Sequence, residues 1–129
     1  MKASVLVAVT DLFFLARIQR VAEELGLTVV PVRNVADLLT CARSERPAAI
    51  IFDLMDRRID AEAALDAIKA DDQLKGIPTV GFFAHVHTEV KDRARRAGCD
   101  RVLPRSVFIP QLPHLLIEII TSAAEGRER

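Results

Sequence analysis

The stretch Pro47-Ala48-Ala49-Ile50-Ile51-Phe52-Asp53 is an apolar run that ends on a carboxylate. Such a run is typical of a strand that is buried on both faces, as in a parallel sheet. Ser4-Val5-Leu6-Val7-Ala8-Val9 has the same character near the N-terminus. We therefore predict that both segments are strands inside a parallel sheet, and that Asp53 lies at the carboxyl end of one of them.

Short apolar runs alternate with amphipathic segments along the rest of the chain. Further strands are expected at residues 27–32, 79–83 and 101–103, and the last helix is expected to begin near Pro110. This βα alternation predicts a three-layer, doubly wound α/β fold with a five-stranded parallel sheet. Functional residues of such folds lie at the carboxyl ends of the strands. We expect one domain over residues 1–124 and a polar tail over residues 125–129.

Composition restricts the class of function. The 129 residues include 18 basic and 18 acidic side chains, and a net charge of zero argues against a nucleic-acid or membrane-surface partner. No apolar run is long enough to span a bilayer, and the N-terminus lacks the pattern of a signal peptide. Cys41 and Cys99 have no metal-ligand spacing, so we expect reduced thiols in a cytoplasmic protein.

Three stretches resemble, in their order along the chain and their spacing, the receiver (CheY-like) domains of bacterial response regulators. They are Ile50-Ile51-Phe52-Asp53-Leu54-Met55, which is the most specific, then Ile77-Pro78-Thr79-Val80 and Ala97-Gly98-Cys99-Asp100-Arg101-Val102-Leu103. The resemblance covers residues 4–123. It implies strand order 2-1-3-4-5, a role in two-component (phosphorelay) signalling, and Asp53 as the equivalent of the phosphate-accepting aspartate.

The other positions that carry the chemistry in this family are altered. The acidic pair that helps hold Mg²⁺ falls on Val9 and Thr10, with Asp11 next, and the hydroxyl residue after strand four falls on Phe83. Mg²⁺ prefers several hard oxygen ligands, so Asp11 and Asp53 are a thin ligand set. Phe83 cannot hydrogen-bond a phosphoryl oxygen, and its ring is expected to crowd the site. We therefore predict no resident metal, with Mg²⁺ bound only if the site is functional.

The family's lysine falls on Arg105 and the proline after it on Ser106. Arg105 is expected to reach Asp53 as a bidentate ion pair, which neutralises the site without phosphate. Because a non-proline cis peptide bond costs about 3 kcal/mol, the Arg105–Ser106 bond is predicted to be trans. Two interpretations of Asp53 follow. We favour a residue that is retained from the family and paired with Arg105 without being phosphorylated, and the alternative is a functional phosphoacceptor.

Several residues near this site allow two interpretations. Asp11 either binds metal or, as we favour, caps the following helix. Leu12 and Phe13 either plug the empty metal position, the favoured interpretation, or form an exposed apolar partner site. His85 and His87 lack further ligands for zinc, so we interpret them as polar loop residues.

The fourth helix and fifth strand carry a basic excess. A solvated face is the simpler interpretation, but the resemblance implies an output and dimer surface here, on the α4–β5–α5 side. The functional interpretation is a surface for an acidic partner or a salt-bridged homodimer. Its residues are Lys91, Arg95, Arg96 and Arg101.

Three functions compete. We favour an atypical, stand-alone receiver that is not phosphorylated, is not an enzyme, and binds a histidine kinase, another regulator or itself. The alternative is a functional receiver phosphorylated on Asp53 by a histidine kinase. A flavodoxin-like carrier or small α/β enzyme is disfavoured, because the loop at Thr10-Asp11-Leu12-Phe13-Phe14 has one hydroxyl and no glycine for phosphate.

Overall fold

A computed structural model describes residues 3–84 and 88–128 of the chain. Strands and helices alternate throughout, as predicted. The strands are β1 (Ser4–Ala8), β2 (Thr28–Pro31), β3 (Ala49–Asp53), β4 (Thr79–Phe83) and β5 (Arg101–Pro104). The helices are α1 (Leu12–Glu24), α2 (Val35–Glu45), α3 (Ala61–Ala70), α4 (Thr88–Arg96) and α5 (Arg105–Glu128).

The five strands form one parallel sheet in the order β2-β1-β3-β4-β5, as the resemblance implied. The chain starts in the sheet interior, moves outward to β2, and returns past β1 to β3. This reversal of strand order places the carboxyl ends of β1 and β3 beside each other, where ligand sites of doubly wound sheets form. Asp53 is the last residue of β3 and pairs in register with Phe82 of β4.

The two faces of the sheet are covered by separate apolar clusters. Alternate residues of β1 and β3 point to opposite sides, which explains why both strands are apolar without interruption. Val7 and Ile51 pack beneath α1 and α5, whereas Leu6 and Ile50 pack beneath the other three helices. This double burial fixes the direction in which each strand end presents its side chain.

Helix ends follow the local sequence. The side chain of Asn34 caps α2 by accepting a hydrogen bond of 2.8 Å from the backbone N–H of Asp37. Gly26 takes a φ of 77° in the turn after α1, a conformation that glycine adopts without a steric cost. The C-cap of α2 is Arg46, which is also left-handed with a φ of 46°.

The start of α5 differs from the prediction. The helix begins at Arg105, five residues before Pro110, and both Pro110 and Pro113 lie inside it. Proline inside a helix removes a backbone hydrogen bond, so the sequence favours Pro110 as the start of the helix. Burial overrides this cost, because Phe108 and Leu112 are 0% and 3% exposed in the core and hold the first turns in place.

The backbone of α5 continues to Glu128, through most of the segment expected to be a tail. Within the described ranges, no helix is both long and apolar enough to cross a membrane.

Candidate functional site

Asp53 is a buried carboxylate at the carboxyl end of β3, with 6% of its surface exposed. Its Oδ1 atom accepts a hydrogen bond of 2.9 Å from the backbone N–H of Met55. Burial raises the pKa of Asp53, and the opposing effects of the Met55 N–H and of Arg105 only partly offset it. The carboxylate is thus held at the predicted position, in surroundings that disfavour its charge.

Arg105, the first residue of α5, provides the positive charge nearest to Asp53. Its Nη2 atom lies 3.9 Å from Oδ2 of Asp53, which is an ion pair but too long for a hydrogen bond. The prediction of a bidentate pair is therefore wrong. The guanidinium carbon instead lies 4.9 Å from the centre of the Phe14 ring and 5.8 Å from that of Phe82. The Arg105–Ser106 peptide bond is trans, as predicted.

The ring contacts of Arg105 explain why it stops short of the carboxylate. Phe14 and Phe82 stack with ring centres 4.5 Å apart, and Phe82 stacks on Phe108 at 4.7 Å. A guanidinium over an aromatic face is attracted to the ring electrons. Phe14 and Phe82 therefore form a platform under Arg105, with Phe108 stacked on Phe82, and 45% of the Arg105 side chain stays exposed.

Thr10 and Asp56 close the edge of the site. Both the backbone N–H and the hydroxyl of Thr10 donate to Oδ2 of Asp56, at 2.9 and 2.5 Å. Burial alone raises the pKa of Asp56, but the bonds from Thr10 and from the N–H of Arg58 outweigh it and lower the pKa overall. The sequence places Asp56 at the functional end of the sheet, but its bonds to Thr10 were not predicted. The sequence did contain a hint of this role, because Asp56 follows Asp53 by three residues, in the loop at the end of a strand.

Asp11 serves the helix, as favoured from the sequence. Its Oδ1 atom accepts from the N–H groups of Phe13 and Phe14 at 3.0 and 3.1 Å and caps α1. Val9, at the position of the first family carboxylate, is 2% exposed in the apolar core. No group of three or more potential metal ligands occurs among the residues the structure describes.

These residues do not fit a magnesium site. The Asp53 carboxylate has a guanidinium beside it, Asp56 is engaged by Thr10, and Asp11 is engaged by the first turn of α1. Binding a divalent cation here would require several of these internal contacts to be exchanged for metal ligands.

Phe83 lies elsewhere than predicted. Its neighbour Phe82 shares a register position with Asp53, so the next residue along β4 points to the opposite face. Phe83 is 4% exposed and packs in the cluster that contains Ala94 of α4 and Val102 of β5. The expectation that its ring crowds the site is wrong. The substitution removes a hydroxyl from the strand end and adds a ring to the core.

Leu12 and Phe13 do not plug a metal position. They are 77% and 90% exposed at the start of α1. Their side chains point outward because the helix buries its opposite face, through Phe14 and Ile18. The favoured interpretation was wrong, and an exposed apolar surface is what the structure contains.

The basic residues of α4 and β5 are at the surface. Arg95, Arg96 and Arg101 are exposed, and Lys91 is partly exposed. Arg101 has its Nη2 atom 2.7 Å from Oε2 of Glu118, outside hydrogen-bond angles, so this ionic contact joins β5 to α5. His85 and His87 lie outside the described residues.

Comparison with known proteins agrees with this architecture. No family model matches the sequence. The polar-differentiation response regulator DivK of Brucella anthropi is 26% identical over 89 residues, which cover 69% of this chain and 72% of that protein. The DivK protein of Brucella melitensis is 22% identical over the same coverage.

Solved structures extend the comparison to nearly the whole chain. A response regulator from Chloroflexus aurantiacus superposes with a TM-score of 0.83 at 17% identity, over 94% of this chain and 99% of that one. The chain has the fold of CheY-like receiver domains. CheY4 of Vibrio cholerae gives a TM-score of 0.78 at 18% identity, over 92% of this chain and 99% of its own.

A third structure shows the family's site with metal. The receiver domain of the sensor histidine kinase PA1611 from Pseudomonas aeruginosa has a magnesium ion coordinated in its active-site cleft. It superposes on this protein with a TM-score of 0.81 at 19% identity, over 94% of this chain and 99% of its own.

Proposed function

We propose that this receiver domain is a pseudo-receiver, which is not phosphorylated and acts in two-component signalling by binding other proteins. The observation that carries the proposal is the engagement of its carboxylates. Asp53 faces Arg105, Asp56 accepts two hydrogen bonds from Thr10, and Asp11 caps α1. Phosphoryl transfer to a carboxylate depends on a cation that neutralises gathering negative charge. In this protein, the carboxylates that would bind such a cation already contact other groups of the domain.

One observation favours the alternative, a working receiver phosphorylated on Asp53. Among the residues that the structure describes, only Oδ1 of Asp53 has a hydrogen-bond donor, whereas Oδ2 has the Arg105 guanidinium at 3.9 Å. An oxygen that is close to a cation, yet not hydrogen-bonded to it, is placed to attack a phosphoryl group if the site binds metal. Under this alternative, Mg²⁺ is a cofactor and a histidine kinase is the phosphate donor.

Amide NMR with Mg²⁺ and beryllofluoride, which mimics a phosphoryl group on aspartate, separates the two. The pseudo-receiver is expected to show no shifts beyond those of an Asp53→Asn control at millimolar Mg²⁺. Mg²⁺-dependent shifts at Asp53 and Arg105 that are absent from the control would establish the phosphorylated receiver instead.

The partner surface that we propose is the basic face of α4 and β5. Lys91, Arg95 and Arg96 lie on α4, and Arg101 of β5 lies at the same face, in its ionic contact with Glu118. A face with this charge suits an acidic protein surface, on a histidine kinase, another regulator or a second copy held through α4, β5 and α5. Cross-linking mass spectrometry in the source cell is expected to identify partners that are lost after Arg95→Glu and Arg96→Glu, but retained after Arg33→Glu, a distant control.

A further inference from the structure

A cavity of about 340 Å³ opens between the end of α2 and the loop after α3, at the end of the sheet opposite to Asp53. Two of its lining residues fix this position, because Pro47 lies two residues before β3 and Ile77 two residues before β4. Both therefore lie at the amino ends of the strands, whereas Asp53 is at a carboxyl end. The volume is within the range of small-molecule sites, which is roughly 300–1,000 Å³.

The cavity has an apolar floor and a polar rim. Ala42 and Leu74 line it from below, and they are 0% and 1% exposed in the core cluster on that side of the sheet. Arg43, Arg46 and Gln73 line it as well, and all three are exposed. A ligand in this cavity would therefore have apolar contacts at one end and hydrogen-bond donors at the other.

The charged groups at the rim leave one net positive charge. Arg43 donates from Nη2 to Oδ2 of Asp71 at 3.3 Å, so a carboxylate already shares its charge. Among residues 3–84 and 88–121, no carboxylate oxygen lies within 4.0 Å of the Arg46 guanidinium. An anion with a single negative charge would balance the rim, whereas a second negative charge would be repelled by Asp71.

The backbone of Arg46 is an independent observation. Arg46 is the C-cap of α2 and has a φ of 46° and a ψ of 63°, in the left-handed region that glycine adopts without steric cost. Among the described residues, it is the one non-glycine residue with a positive φ. A cation near the end of a helix stabilises the exposed carbonyl groups, but Arg43 already supplies that charge from the last turn of α2. Arg46 therefore adds a guanidinium at the cavity in a conformation that opposes folding.

We propose that this cavity binds a small monocarboxylate with an apolar body. The carboxylate binds Arg46, because a guanidinium presents parallel N–H groups that match the two carboxylate oxygens, and the side-chain amide of Gln73 is a further donor. The apolar body covers Ala42 and Leu74. The site shares no residue with the surroundings of Asp53, so it is separate from the proposed function.

Amide NMR titration of the full chain with hexanoate tests the proposal. Saturable shifts are expected at Arg46, Gln73 and Leu74, with a Kd in about the millimolar range for so small a ligand. Acetate has the charge without the body, and hexanol has the body without the charge. Each is therefore expected to bind about fivefold more weakly than hexanoate, or weaker still.

Two substitutions of Arg46 separate its charge from its backbone. Arg46→Gln is expected to weaken hexanoate binding about fivefold or more, because it removes the guanidinium. Arg20→Gln, the same change on α1, is the matched control and should leave binding unchanged. Arg46→Gly is expected to weaken binding as much as Arg46→Gln while raising the urea midpoint of unfolding, because glycine adopts the left-handed cap without strain.

Four outcomes would overturn the proposal. The first is the absence of saturable shifts at these amides with hexanoate up to about 100 mM. The second is acetate or hexanol binding as tightly as hexanoate, which would leave an adventitious ion or a general apolar contact only. The third is wild-type binding in both Arg46 variants, and the fourth is an Arg46→Gly variant less stable than wild type. Beryllofluoride binding at Asp53 reports on the proposed function independently, so failure of one does not decide the other.

Discussion

Thr10 and Asp56 are joined by two hydrogen bonds that end on the same carboxylate oxygen. The two residues are 46 positions apart, and the bonds join the end of β1 to the loop after β3. Thr10 occupies a position where the resemblance to receiver domains implies an acidic residue. A carboxylate there would repel Asp56, whereas the hydroxyl donates to it.

Thr10→Val is expected to destabilise the fold by about 1 kcal/mol at neutral pH, because it removes the hydroxyl donor and leaves the N–H. The folded pKa of Asp56 is lowered, so the stabilisation is present above the unfolded pKa and is lost as pH falls through the folded pKa. The urea unfolding curves of wild type and variant should therefore converge in acid.

Thr10→Ser is the matched control, since it keeps the hydroxyl. A loss in the serine variant without a loss in the valine variant would show that the methyl group, not the hydrogen bond, supplies the stability.

Asp53→Asn is expected to raise the free energy of unfolding at neutral pH by roughly 1 kcal/mol, because it removes a buried charge that Arg105 does not fully compensate. The folded pKa of Asp53 is raised, so ionisation works against folding and wild-type stability falls as pH rises from the unfolded pKa through the folded pKa. The gain from asparagine should shrink towards low pH. Thermal unfolding at several pH values measures it, and a variant less stable than wild type would contradict it.

Asp11→Ala is expected to cost about 1 kcal/mol through loss of the cap of α1, whereas Asp11→Asn should cost little, since asparagine caps as well. Denaturant unfolding provides the comparison. If the carboxylate were needed as a charge rather than as a cap, asparagine would be as damaging as alanine.

Arg105→Ala is expected to raise the pKa of Asp53 further, because Arg105 is the positive charge that lowers it. NMR titration of the Asp53 carboxyl carbon measures the change. Arg105→Lys keeps the charge but loses the planar group over the rings, so it should have a smaller effect. An unchanged titration in the alanine variant would show that the 3.9 Å contact is absent in solution.

Phe83→Thr restores the family's residue type at the end of β4, yet it is expected to destabilise the domain by about 3 kcal/mol, because a buried ring is lost from the core. Its beryllofluoride response should remain that of wild type, since Asp11, Thr10 and Arg105 are unchanged. Phe83→Leu is the control for the core, and it should retain most of the stability.

Strand positions were predictable because double burial leaves a plain signal in residues such as Ile50 and Ile51, whereas the sheet order came from the family resemblance. The position of Asp53 followed from the same signal. The caps were predictable too, as Asp11 and Asn34 act on neighbours within three residues.

The errors concern contacts between distant segments. The start of α5 depended on the burial of Phe108, the direction of Phe83 on the register of β4, and the reach of Arg105 on rings from α1 and β4. The pairing of Thr10 with Asp56 joins two loops. None of these contacts leaves a local pattern in the sequence. Matching single residues to a family therefore predicts where a residue lies in the fold, but not which side chains it contacts.

The aromatic platform under Arg105 also makes the core observable. The chain has no tryptophan and no tyrosine, so it is nearly silent in near-ultraviolet absorbance and in fluorescence. The stacked rings of Phe14, Phe82 and Phe108 generate ring currents, and methyl groups seated against them resonate far from their ordinary proton frequencies. The one-dimensional proton spectrum of the unlabelled protein should therefore report whether this core is assembled, with no probe added.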